Sequence, residues 1–387
     1  MTFATLIAPH QHLLVLASLL ALSALGVVGE ERGWYRKFSG VMVTLIAAVI
    51  LALAGVLPSG ADDVPVYSLI GGTLMPLAVP LLLLNASLRR MLRECGRLLG
   101  AFLLAAAGVI LGVFLSAWLF DLGPIEADTG GLFTATWIGG FVNFIATAEI
   151  LGVTNQPVFL SAIAADGILN TAQLALIFAL PAWSWFASKF AASPTGELPA
   201  GSAAPEKPRA WNLEDATLAL AVSAAIVGVA ALVSPWLQAR FGFRFRINLI
   251  VVTILVLALA NLFPAWCARL HASAFPLGVL FLYLFIAYIG VGIDVQQLLA
   301  AGPGVFVFGC VTLAVHLVVL FGVGRLFGLT LQELCLASNA AIGGPTAAAP
   351  MAVSFRMPYA VTPAILIGLF GYSTGTFLGL AMAGLLK

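Results

Sequence analysis

Ala101-Phe-Leu-Leu-Ala-Ala-Ala-Gly-Val-Ile-Leu-Gly-Val-Phe-Leu-Ser-Ala-Trp-Leu119 contains no charged residue. A helix of roughly 20 apolar residues crosses a bilayer core about 30 Å thick, so this run reads as a membrane-spanning helix. The strands of a spanning barrel would alternate apolar and polar positions over about 10 residues. This run does not alternate.

Comparable runs fill the chain. Of its 387 residues 62% are hydrophobic and 9% charged, with a mean hydropathy of +1.10. Soluble domains carry about 25% charged residues, and seventeen basic plus sixteen acidic residues cannot coat a soluble surface of this size. A soluble enzyme, a nucleic-acid binder and a disordered chain are thereby excluded. The net charge of +1 points to no acidic partner. Cys95, Cys267, Cys310 and Cys335 form no Cys-x-x-Cys pair and no Cys/His cluster, so neither a disulfide framework nor a zinc site is indicated. No Lys or Arg precedes Arg32. The first apolar run thus lacks the basic start of a secretory signal and reads as a retained helix. The expected class is an all-α polytopic protein in a bacterial plasma (inner) membrane, with lipid around it.

Twelve apolar segments cover about 12–29, 38–57, 66–88, 98–120, 131–152, 157–187, 213–236, 246–265, 273–299, 303–327, 332–354 and 359–386. The stretch from Ser188 to Asp215, rich in Pro, Ala, Gly and Ser, reads as a flexible linker. It divides the chain into 1–187, a linker over 188–212, and 213–387. Lys and Arg favour cytoplasmic loops. Arg32, Arg36 and Lys37 follow segment one, and Arg89, Arg90, Arg93 and Arg97 follow segment three. Loops two and four carry only acidic charge, Asp62, Asp63, Asp121, Glu126 and Asp128, which puts the N-terminus outside. Arg240, Arg244 and Arg246 also read as cytoplasmic.

The halves echo each other. Ile138-Gly139-Gly140 recurs as Ile342-Gly343-Gly344, each in the fifth segment of its half. Ile70-Gly71-Gly72 is a third copy, so position and neighbours, rather than the tripeptide itself, carry the argument for a duplication. Segments five and eleven look built to break. Paired glycines free the backbone, and Pro345 removes a helical hydrogen bond. Irregular backbone at membrane depth survives only when buried in protein or lining a cavity. Broken helices at matching points of two repeats are a pointer to a transporter's binding site. The alternative is a pair of small-residue packing faces.

The substrate site is therefore expected at Thr136, Gly139, Gly140, Asn143, Asn339, Gly343, Gly344 and Thr346. Ser373 and Thr374 of the polar run Tyr372-Ser373-Thr374-Gly375-Thr376 join it by their place in the repeat. Charged residues inside the membrane are functional hypotheses by default, and setting aside those at segment ends that set orientation, the three read as intramembrane are Glu149, Asp166 and Asp294. Asp166, Asn170 and Gln173 share one helix face. These five residues are the expected ion-coupling set, for Na+ or H+. His316 reads first as a packing residue and second as a proton-relay member. No phosphate-binding loop of the G-x-x-x-x-G-K-[ST] type is present, which speaks against direct ATP drive.

Trp137-Ile-Gly-Gly-Phe-Val-Asn143 resembles the first-half signature of the YjcL-like integral membrane family (domain-of-unknown-function family 819). Ser338-Asn-Ala-Ala-Ile-Gly-Gly-Pro-Thr-Ala347 resembles its second signature, and the similar organisation spans nearly the whole chain. The resemblance implies kinship with bile-acid/sodium symporters, glutamate/sodium symporters and cation/proton antiporters. It further implies inverted repeats, two broken helices that cross near mid-membrane, and an elevator mechanism in which a core domain moves against a scaffold. Carried over by position, Na+ would meet Asn143, Glu149, Asp166, Asn339 and Thr346. Ser87 departs from the acidic residue expected at the end of segment three. Inverted repeats need an odd number of crossings between equivalent helices, whereas segments five and eleven are six apart. A miscounted crossing between residues 153 and 331 is the expected resolution.

The resulting expectation is a secondary active transporter of a small organic solute, an organic anion or amino-acid-like molecule, coupled to Na+ or H+. It carries no cofactor and no enzymatic activity, and a homodimer is the assembly considered. A channel without ion coupling is the alternative.

Overall fold

A computed structural model describes residues 5–34, 40–58, 64–86, 92, 94–191, 210–241, 247–292, 295–355 and 357–387. The helices are α1 (His12–Glu31), α2 (Gly40–Leu53), α3 (Pro65–Leu83), α4 (Gly96–Leu119), α5 (Glu126–Leu151), α6 (Pro157–Ala179) and α7 (Leu213–Phe241). There follow α8 (Asn248–Leu262), α9 (Pro264–Val291), α10 (Val295–Leu326), α11 (Leu331–Ile342), α12 (Gly344–Ser354) and α13 (Val361–Leu385). Among the described residues nine helices are long and apolar enough to cross a membrane, and α2 and α8 are shorter apolar helices. The fold is all-α and polytopic, and each of the twelve apolar segments carries helix. Segment nine starts earlier than its hydropathy indicates, at Pro264, a residue suited to the first helical position. Arg269 does not interrupt it, because the guanidinium bonds Asp215 and Glu214 at 2.8 Å each.

The helices pack as two groups. α1–α3 pack with α7–α9, and α4–α6 pack with α10–α13. The groups touch only slightly, through α2 with α6, α3 with α13, and α8 with α5 and α13. Among the described residues the second group holds most of the largest fully buried aromatic side chains: Phe102, Phe133, Trp137, Phe144, Phe159 and Phe308. Its tightest seam joins α13 to α5. Gly371, Gly375 and Gly379 repeat at helical spacing along α13. A Cβ at Gly375 would stand 2.7 Å from the Gly139 Cα, and one at Gly379 would stand 2.7 Å from the Gly131 carbonyl. Such closeness requires glycine and gives two backbones continuous dispersion contact.

Side-chain contacts fix the helix directions. α4 and α10 are antiparallel: Gly108 lies against His316, Gly112 against Thr312, and Ser116 Oγ donates to the Phe308 carbonyl at 3.0 Å. Arg97, at the start of α4, donates to the Gly328 carbonyl at 2.7 Å just past α10 and pairs with Glu333 of α11. α3 and α9 are antiparallel too, with Tyr67 beside Tyr288 and Leu82 against Gly278. Asn261 at the end of α8 donates to the Ala86 carbonyl at 3.2 Å, and Asp215 at the start of α7 bonds Arg269 near the start of α9. The start of α7 therefore lies at the Arg97 end of the bundle and Arg240 at the opposite end. Reading Arg240 as sharing a side with Arg97 is thus corrected. Arg244 and Arg246, like Arg36, Lys37, Asp62, Asp63, Ser87, Arg89, Arg90 and Arg93, lie outside the described residues, as does most of the 188–212 linker.

The cause is segment five. Both breaks expected from the glycine pairs are present, at Gly140 inside α5 and between α11 and α12. Each segment also doubles back. Trp137, before the first break, reaches Asp166 of α6, whereas Phe144, after it, packs on Phe159 at 5.3 Å, earlier along the same helix. Along α6, Leu169 packs on Gly309 whereas Gln173 meets Ser338 beside His316, nearer the Arg97 end, so α6 starts at the end where α5 starts and the chain past Gly140 heads back toward that end. In the second segment the Asn339 amide donates to the Ala347 carbonyl at 2.9 Å, bridging the two arms. α11 starts beside Arg97, and Pro363, beyond α12, meets Cys95 at the same end. No crossing is miscounted between residues 153 and 331. Segment five itself returns to its starting end, and that reverses the sides of everything up to α10.

Candidate functional site

The two hairpins enter from opposite ends and meet at one side chain, Tyr372 of α13. Gly140 takes φ 68° and ψ 178°, a region open essentially to glycine alone. Gly344 takes φ 72°. A Cβ at Gly140 would stand 3.0 Å from the Tyr372 ring, and one at Gly344 would stand 2.9 Å from the ring and from its hydroxyl. Gly368, one turn earlier on α13, is packed so close to the second tip that a Cβ would lie 2.6 Å from the Pro345 nitrogen.

Asn143 and Asn339 hold these tips. Asn143 Nδ2 donates to the Gly139 carbonyl across the first break and, at 3.5 Å, to the Gly371 carbonyl. Its Oδ1 accepts from the Thr376 backbone N–H at 3.0 Å and the Thr376 hydroxyl at 2.6 Å. Asn339 clamps the second tip through Ala347, with Gly343 packed on its Oδ1. At each tip the last carbonyls of one arm and the first N–H groups of the return arm are helix-terminal groups, which lack partners within a regular helix. The partial negative and positive ends of two helix dipoles therefore converge on the middle of the bundle.

Asp166 is 6% exposed. Its Oδ1 accepts from the Trp137 indole N–H at 2.7 Å and from the Thr136 hydroxyl at 3.3 Å, tying α6 to the entering arm of the first hairpin. Further along the same face of α6, Gln173 reaches the second hairpin. The Ala105 carbonyl can only accept, so a neutral His316 carries its proton on Nδ1 and donates to it at 2.9 Å. His316 Nε2 then accepts the Ser338 hydroxyl proton at 2.8 Å. Ser338 has no second proton, so Gln173 presents Nε2 as donor to it at 2.6 Å. The outcome is a directional chain, and Gln173 Oε1 has no partner among the described residues.

The other expected residues divide. Asn170 is half-buried on the face of α6 that carries Asp166 and Gln173, and Glu149 is half-buried near the end of the first return arm. Ser373 and Thr374 spend their hydroxyls on their own helix, donating to the Leu369 and Phe370 carbonyls at 2.8 and 2.9 Å. Asp294 and the side chain of Thr346 lie outside the described residues. Among the described residues no three His, Cys, Asp or Glu side chains gather as a metal site would require, and no hydrogen bond joins Asp166 to Asn143 or Asn339. The residues that sequence reasoning passed over are Tyr372, Thr376, Trp137 and Ser338. For Tyr372 and Thr376 the signal was the helical phase of the α13 glycines. Positions 368, 372, 375, 376 and 379 share a face, and Ser373 and Thr374 fall off it.

The family described as "Protein of unknown function (DUF819)" matches residues 17–387. The chain is 31% identical over 382 residues, 95% of each chain, to "Uncharacterized membrane protein YjcL" of Bacillus subtilis (strain 168). The match takes in both hairpins, α6 and α13, so the elements that build the site are family elements. With its helices long enough to span a bilayer, the chain is an integral membrane protein and belongs to the DUF819 family.

Proposed function

We propose that the protein is a secondary active transporter of a small organic solute, an organic anion or amino-acid-like molecule, coupled to Na+ or H+ in a bacterial plasma membrane. One observation carries this reading: two re-entrant hairpins from opposite ends meet at Tyr372, within a helix group that touches the rest of the molecule only slightly. Broken helices at mid-membrane present N–H ends to anionic groups and carbonyl ends to cations. Two inverted repeats are supported by three relations. The third residue of each Ile-Gly-Gly, Gly140 and Gly344, has the same left-handed φ; α4 opposes α10; and α3 opposes α9. The α4–α6 and α10–α13 group is the mobile core in this reading, and α1–α3 with α7–α9 is the scaffold. Asp166, a carboxylate buried one helix away from the first tip, is the ion-coupling group.

The test is uptake of a labelled metabolite panel into proteoliposomes, with and without a Na+ or pH gradient, for the native protein and Asp166→Asn. Saturable, gradient-driven uptake that Asp166→Asn uncouples is expected. Non-saturating flux indifferent to both gradients would establish a passive pore instead.

A further inference from the structure

Tyr372 is 7% exposed, yet among the described residues its hydroxyl makes no hydrogen bond. Among the described residues Asn143 is engaged with Thr376 and two carbonyls, and the Asn339 amide nitrogen with Ala347. A tyrosine this buried normally has a hydrogen-bond partner for its hydroxyl. The ring is held between Gly140 and Gly344, and its hydroxyl is not among the fully enclosed unpartnered polar atoms of the described residues, so it faces a space beside the tips. It sits where the N–H groups at the start of both return arms also lack helical acceptors. Each return arm is long enough to carry a helix dipole, and both present the positive end.

We infer that the Tyr372 hydroxyl and the N–H groups that open the two return arms form one receptor for a carboxylate of the transported solute, with Tyr372 as the residue that selects acids over their neutral analogues. This inference rests on the transport reading for the location of the solute and adds its chemical class. The groups that make up the receptor are donors: an O–H and backbone N–H groups. A carboxylate, whose two oxygens only accept, satisfies them all. A primary amide brings two N–H donors and leaves donor facing donor, a mismatch that buried sites punish strongly. Threading the hydroxyl between the tips also gives the solute contact with both hairpins at once. A carboxylate there closes the two tips on each other through a single group.

The experiment is equilibrium binding to the purified full-length protein in detergent, read by intrinsic fluorescence and by ligand-induced thermal stabilisation. The probes are mono-, di- and tricarboxylates and acidic amino acids, each beside its amide. At least one carboxylate is expected to bind, with its amide weaker by about tenfold or more. Tyr372→Phe keeps the ring between the glycines, so the unliganded melting temperature should stay unchanged. Carboxylate affinity should fall roughly 10- to 100-fold, as for loss of a hydrogen bond to a charged group. An amide that binds as well as its acid, a Tyr372→Phe variant with undiminished affinity, or a panel in which no carboxylate binds would each overturn the inference. Tyr372-dependent carboxylate binding without gradient-driven uptake would sink the transport reading alone. Gradient-driven uptake of a neutral solute would sink this inference alone.

Discussion

The Trp137 indole N–H donates to the Asp166 carboxylate across 2.7 Å, with Trp137 fully buried and Asp166 nearly so. The bond ties the first hairpin to α6. It also holds the carboxylate at a fixed distance from the tip, since Trp137 is one helical turn from Gly140. The indole is itself immobilised by Phe133, which stacks on it at 4.3 Å and 4°.

Trp137→Phe should preserve that stack and delete the donor. A hydrogen bond to a charged group is worth about 1.5–3 kcal/mol, and the variant should lose stability of that order in reversible unfolding in detergent. A loss below about 0.5 kcal/mol, the scatter expected of surface changes, would mean that the indole does not hold the carboxylate.

The hairpin tips make a sharper demand on the backbone. Gly140→Ala and Gly344→Ala each force a side chain into a left-handed φ, at about 1–3 kcal/mol, and drive a Cβ to 3.0 or 2.9 Å from Tyr372. Both should express poorly and elute as heterogeneous material in size-exclusion chromatography. Gly100→Ala on the exposed face of α4 meets nothing within 4 Å and should behave like the native protein. If all three variants behave alike, the strained tips described above do not exist.

Hydropathy exposed the twelve helical segments because lipid demands an apolar coat along the whole length of each. Ile-Gly-Gly marked the breaks, and its third copy, Ile70-Gly71-Gly72, lies in a π-helical turn of α3, so all three copies coincide with departures from regular helix. Re-entry stayed hidden for a physical reason. A break flanked by two arms of eleven or so apolar residues has the hydropathy of one full span; only Asn339 reaching Ala347, and Phe144 reaching Phe159, reveal the reversal. Tyr372 and Thr376 were equally obscure, since the partners that define them, Gly140 and Asn143, are more than two hundred positions away. Asp166, by contrast, stood out because an acidic residue on a polar helix face is conspicuous in lipid.

Ser338 and Ser161 offer a matched comparison. Both are buried serines, but Ser338 joins Gln173 to His316, whereas Ser161 Oγ has no partner among the described residues. Ser338→Ala strands an amide and an imidazole and should destabilise by about 1–3 kcal/mol. Ser161→Ala removes a buried hydroxyl that has nothing to lose and should be neutral or stabilising. The comparison is read as the difference between two melting temperatures. Equal losses would mean that the Gln173–Ser338–His316 chain contributes nothing.

The re-entrant path of segment five makes a topological prediction that a straight helix does not. If every apolar segment crossed the membrane, the start of α4 and the end of α7 would face the same side. With segment five returning to its own end, they face opposite sides. Leu92, just ahead of α4, is exposed, as is Arg240. Single cysteines at the two positions, with the four native cysteines replaced, should react with an impermeant maleimide from opposite faces of the membrane. The basic loops around residues 32–37 and 89–97 outnumber those at the other end, so position 92 should be cytoplasmic and position 240 external. Labelling of both from the same face of intact cells would restore segment five as a full crossing and separate its tip from that of the second hairpin. Opposite faces fit the reversal at Gly140, because among the described residues between 96 and 241 no other helix departs from a single crossing.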